Sequence, residues 1–141
     1  MIARCVRNTG ASLGEPVRGD CYKKESVFHV AVGAEYPVLA LGMFETVLSA
    51  LVCDETGKPN WLPLGLFEFE PQLLPAEWRF AVFDSPAASG GDASNRWVAK
   101  WGYSELVDDP THSDRLIERD PEALEVFFTE LAKVSTNNQT S

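Results

Sequence analysis

Alternation of apolar and polar positions runs through the first two thirds of the chain, and a helical period takes over near its end. Ile2–Arg7, IARCVR, alternates and predicts a first strand. Asn8–Asp20 holds three glycines and a proline and predicts a loop. Val27–Val32 alternates again, with Val27 and His29 on one face and Phe28, Val30 and Val32 on the other. A turn at Gly33–Glu35 leads into a strand over Tyr36–Leu41, where Pro37 is tolerated only at the start or on an edge. Gly42–Glu45 predicts a turn or bulge, Thr46–Cys53 a β-branched, apolar third strand, and Asp54–Gly57 a hairpin loop. Trp61–Phe69 returns as a fourth strand interrupted by Pro63 and Gly65. Leu41, Phe44, Leu48 and Leu51 also recur at helical spacing, so a helix over Leu41–Leu51 competes; Thr46 and Val47 favour the strand.

Pro71–Trp78, with two prolines, predicts an extended connector, and Arg79–Asp84 a further short strand. Ser85–Asn95, SPAASGGDASN, predicts a flexible surface loop, and Arg96–Trp101 a last strand. Ser104–Val107 suits a turn or short helix and Asp114–Arg119 one helical turn. Asp120-Pro121-Glu122 then announces a helix, with Asp120 as N-cap, Pro121 in the first position and Glu122 in the first turn. Leu124, Phe127, Phe128 and Leu131 form its apolar stripe. Short strands with tight turns suit a small closed or nearly closed antiparallel barrel, which leaves no free edges. The expected fold class is α+β, one domain over residues 1–134. Its barrel core spans about 22–84, a C-terminal helical part about 104–134 packs against it, and 135–141 is a disordered tail.

Composition fits this picture. The 141 residues are 45% hydrophobic and 11% aromatic, enough for one real core. The formal net charge is −9, from 12 cations and 21 acids. That is a poor footprint for nucleic acid, whose phosphates demand a basic patch, and for an anionic membrane surface. It fits a basic protein partner, although solubility alone explains acidic totals equally well. Three cysteines, Cys5, Cys21 and Cys53, make no disulfide framework. With a mixed, polar Ile2–Leu13 and no long apolar run, the expected setting is the reduced cytoplasm.

Catalytic chemistry has little to stand on. Cys5, Cys21 and His29 include no close ligand pair of the kind zinc sites use, and Cys53 lies in an apolar strand that would keep its thiol inert. No phosphate loop, dinucleotide glycine pattern or nucleophile elbow occurs. No cofactor, no metal and no enzymatic activity are expected. The informative stretch is Glu105–Glu130, with nine acids against Arg115 and Arg119. A solvated helix face accounts for it in part. The sharper expectation is a docking face made of Glu105, Asp108, Asp109, Asp114 and Glu118, with Trp97, Trp101 and Tyr103 as aromatic anchors beside it. Trp61 and Pro63 give the alternative, a groove for a proline-rich or extended peptide.

Two sets of residues carry a resemblance. Trp61-Leu62-Pro63 with Leu66-Phe67-Glu68, then Leu74-Pro75 and Trp78, resembles the end of small bacterial SH3-like barrels. The run Trp101-Gly102-Tyr103-Ser104-Glu105-Leu106, with His112, Leu116, Arg119-Asp120-Pro121-Glu122-Ala123-Leu124 and Phe127, is similar to bacterial proteins of toxin–immunity loci. The likeness covers about Val27–Leu131, and Ser85–Asn95 has no counterpart in it. It implies an SH3-like domain and an immunity protein that masks a basic toxin domain, and it brings no catalytic residues. The SH3-like adaptor binding a peptide through Trp61 is the second expectation.

Overall fold

A computed structural model describes residues 1–13, 23, 25–83 and 97–140, with side chains through 134. It is an α+β arrangement of two antiparallel sheets and a helical layer. The strands are β1 (Ile2–Cys5), β2 (Glu35–Pro37), β3 (Ala40–Phe44), β4 (Val47–Cys53), β5 (Pro59–Pro63), β6 (Phe67–Glu68), β7 (Arg79–Val82) and β8 (Trp97–Gly102). The helices are α1 (Ser104–Asp108), α2 (His112–Ile117) and α3 (Pro121–Thr140). One sheet has the order β2-β1-β6, the other β5-β4-β3-β8-β7. Among the described residues the strands do not close into a barrel; the expected single closed sheet is two open ones.

The layers follow from which face of β4 each neighbour covers. Ala50 and Val52 point to the three-stranded sheet and pack with Ala3, Cys5, Tyr36 and Phe67. Leu51 points the other way and packs with Ala40, Leu106, Leu116, Ala123 and Phe127. Ser49–Val52 is therefore buried on both faces and shows no alternation, which is why the sequence also fitted a helix there. The β3–β4 turn falls at Glu45, whose φ is 54°, not at Gly42. Gly57, at φ 76°, closes the β4–β5 hairpin, with the Asp54 carboxylate accepting from the Thr56 N–H at 2.9 Å.

Four further expectations need correction. Tyr36–Leu41 is not one strand, because the chain leaves β2 after Pro37 and enters β3 of the other sheet at Ala40. Val27–Val32 joins no sheet: Phe28 donates to the Asn8 carbonyl, Val30 to that of Phe28, and the His29 carbonyl accepts from Glu55, around a lone bridge between Thr9 and Val27. Trp61–Phe69 is not one strand, because a 3-10 turn at Leu64–Leu66 separates β5 from β6 and sends them to different sheets. Residues 135–140, expected as a disordered tail, continue α3. Ser85–Asn95 and Cys21 lie outside the described residues.

Helix α3 starts as expected: Asp120 Oδ2 accepts from the Ala123 N–H at 3.0 Å. Arg119, at φ 63°, turns the chain from α2 into α3, and its Nη1 donates to the Pro59 carbonyl at 2.9 Å, tying the corner to β5. The core face of α3 is Ala123 and Phe127, while Phe128 stays 40% exposed.

Candidate functional site

The acidic segment is partly neutralised from within. Arg115 reaches Asp120 at 2.7 Å, Glu122 at 3.4 Å and Asp109 at 3.5 Å. Asp108 pairs with Arg79 at 2.6 Å and Glu130 with Lys133 at 3.0 Å. The carboxyl of Asp109 is held below the usual range, first by the Thr111 hydroxyl and then by the Thr111 amide and Arg115. That of Asp120 is lowered by the Ala123 N–H and by Arg115. Asp108 and Asp109, expected on the docking face, are thus engaged in the fold. Glu105, Asp114, Glu118 and Glu125 form no ion pair among the described residues. Asp114 is half-buried and Glu118 exposed at the end of α2.

A groove of about 1160 Å³ runs between α3 and the 75–78 connector. Trp78 and Phe128 supply apolar surface, and Glu77, Glu125 and Glu130 line it with Lys133. Lys133 feels Glu105 and Glu77 as well as its partner Glu130, and all three raise its affinity for a proton, Glu130 first. Three carboxylates, Glu130, Glu105 and Glu77, therefore act on one side-chain cation, and Glu125 lines the same groove. The distance in sequence from Glu77 to Glu125 hid this group; α3 brings the two together.

Behind the groove lies a buried polar layer. Tyr103, 4% exposed, is hydrogen-bonded through its hydroxyl to His112 Nε2 at 2.7 Å. Burial pushes the Tyr103 hydroxyl up and the His112 imidazole down, so both are neutral at pH 7. Trp61 Nε1 donates to the buried Ser113 hydroxyl at 2.9 Å. Lys100 on β8 is fully buried, with Nζ 5.2 Å from the Trp97 ring centre and 5.4 Å from that of Phe83, and no hydrogen-bond partner among the described residues. Burial lowers it from 10.5 to about 8, against the pull of Asp114 and Asp109. The sequence carried a signal for it: a lysine inside the apolar strand WVAKW, in a stretch poor in cations.

The expected aromatic anchors fall differently. Trp97, 7% exposed, and Tyr103 are interior and offer a partner little surface. Trp97 packs its ring 4.5 Å from that of Trp61. Trp101 is half-buried, on the opposite sheet face, stacked on Phe80 at 4.7 Å. The alternative groove on Trp61 and Pro63 is not formed, since Pro63 is fully buried and Trp61 is committed to Ser113 and Trp97. Among the described residues no three His, Cys, Asp or Glu side chains are placed to hold a metal. The Cys5 and Cys53 thiols are both pushed up by burial. No helix among the described residues is long and apolar enough to cross a membrane. Comparison of the chain with protein-family models, curated proteins and solved structures finds no match.

Proposed function

We propose that this chain is a non-enzymatic binding module for a basic protein, of the immunity type, holding and masking a cationic toxin domain. The observation that carries the proposal is the lining of one groove by Glu77, Glu125 and Glu130 with Lys133, on which Glu105 also acts. Apolar surface from Trp78 and Phe128 inside an acidic rim suits a lysine or arginine side chain, whose stem is apolar and whose head is charged. Carboxylates left outside internal ion pairs are free to steer a partner and to reject acidic ones. The overall charge of −9 acts in the same direction. The SH3-like relationship belongs to this proposal too, supported by the β3–β4–β5 meander and the residues that carry the resemblance.

The test is affinity capture from the native cells at low and at moderate salt, with the Glu77→Gln/Glu105→Gln/Glu125→Gln variant as control. The wild-type chain is expected to enrich a basic protein, more at low salt, and the variant to enrich it several-fold less. Recovery of no basic protein at either salt overturns the proposal.

A further inference from the structure

The five-stranded sheet ends in two unlike edges. β5 begins and ends with proline, packs under α2 and is tied at Pro59 to Arg119. Prolines and covering elements are how sheets blunt an edge. β7, RFAV, has no proline, and among the described residues no strand pairs with its outer side. Its register pairs Ala81 with Lys100, and the next odd position, Phe83, donates its N–H to Val98 at 2.8 Å. In an antiparallel ladder alternate residues turn their backbone groups to the same neighbour. Arg79, Ala81 and Phe83 thus bond inward to β8, and the N–H and C=O of Phe80 and Val82 point outward.

The side chains beside that edge are sorted by face. Phe80 and Val82 are 55% and 65% exposed, and the cross-strand register puts Trp101, Met43 and Leu48 on the same face. On the other face Arg79 meets Asp108 of α1, next to the exposed Glu105. A strand laid along β7 would meet an apolar surface on one side and, on the other, the Arg79–Asp108 pair with Glu105, exposed and unpaired among the described residues, beside it.

We propose that the outer edge of β7 takes an extended segment of a basic partner as a sixth strand, with apolar residues alternating with lysine or arginine. The apolar positions continue the Phe80–Trp101 face, and the cationic positions lie toward Glu105, beside the Arg79–Asp108 pair. The charge of the incoming strand rests on the basic-partner reading above; the strand addition itself rests on the open edge. A second copy of this chain is a poorer occupant, because each copy brings a charge of −9.

The probe is a ten-residue peptide of alternating lysine and valine, titrated into the full chain and followed by hydrogen exchange. Saturable binding with slowed exchange at the Phe80 and Val82 amides is expected. N-methylation of the peptide residues that face the edge should weaken binding by about tenfold or more, because main-chain hydrogen bonds carry such an interface. Val82→Pro removes one outward N–H while sparing every bond to β8, and should weaken binding similarly with an unchanged circular dichroism spectrum. Equal affinity for the N-methylated peptide, or binding without protection at Phe80 and Val82, overturns strand addition and leaves the basic-partner reading standing. Serine in place of the lysines with no loss of affinity sinks the basic partner and leaves strand addition. Concentration-dependent protection of Phe80 and Val82 without peptide assigns the edge to a second copy and overturns the proposal.

Discussion

Lys100 occupies a position where a methionine would fit. Its stem is fully buried, and among the described residues its Nζ has no hydrogen-bond partner and the rings of Phe83 and Trp97 face the charge. Cation–π contacts offset part of the desolvation, but a buried ammonium without acceptors remains costly. Lys100→Met should therefore raise stability at pH 7 by about 1–3 kcal/mol, a size set by the depression of the lysine from 10.5 to about 8. The sign of the pH dependence follows from linkage. Between about 8 and 10.5 the unfolded chain binds more protons at this site than the folded one, so the wild type gains stability there as pH rises. The advantage of the variant should be largest below pH 8 and shrink toward pH 10.5, as read from urea midpoints of the two proteins side by side. The comparison cancels the opposing contributions of Tyr36, pushed up to about 12 by burial, and of the buried thiols. An advantage constant across that range would place the lysine's cost in packing and not in charge.

At the scale of elements, the pairing of β3 with β8 depends on close approach at Gly42. A Cβ there would lie 2.6 Å from Cζ3 of Trp97 and 3.3 Å from Cη2 of Trp61. Neither ring has room to retreat, since Trp97 also packs on Phe44, 5.3 Å between ring centres, and Trp61 is held by Ser113. Gly42→Ala should cost about 1–3 kcal/mol, as overpacking in a filled core does. The check is a lower denaturant midpoint with an unchanged slope, together with a changed near-ultraviolet tryptophan signal. The same passage shows what a reader of the sequence can and cannot see. The strands β1, β7 and β8 and the start of α3 were legible, because alternation and the Asp120-Pro121 cap are local signals, and β4 was legible from its β-branched, apolar run. Val27–Val32 alternates as well, yet Phe28 and Val30 reach the core from an irregular segment, so burial alone produced the pattern. The break at Leu64–Leu66 sits where Pro63 and Gly65 already interrupted the strand, but nothing local told which sheet each half would join.

For the whole molecule, the question is whether surplus charge serves the fold or opposes it. The sequence showed the acidic run from Glu105 to Glu130, but not that Arg115 alone would gather Asp109, Asp120 and Glu122, nor that Glu77 would join Glu125 across a groove. Those pairings depend on how α1, α2 and α3 stack on the sheet, over distances that no periodicity encodes. They divide the carboxylates into two groups with opposite expectations. Removing an engaged one, as in Asp120→Ala, should lower the melting temperature, because it takes away the α3 cap and an Arg115 partner together. That loss should fade on acidification, since the folded-state carboxyl titrates below its unfolded value and its contribution disappears as pH falls through that lower range. Neutralising the carboxylates in and beside the groove with Glu77→Gln, Glu105→Gln and Glu125→Gln should do the reverse, leaving the melting temperature unchanged or higher, because like charges in a chain of −9 repel. The gain should shrink as sodium chloride rises from about 10 to 150 mM, where the screening length falls to roughly 8 Å. Carboxylates whose removal steadies the fold and weakens capture of a basic protein are kept for binding and not for stability. A clear fall in melting temperature for the triple variant would make them structural and would leave the groove without its charge-based rationale.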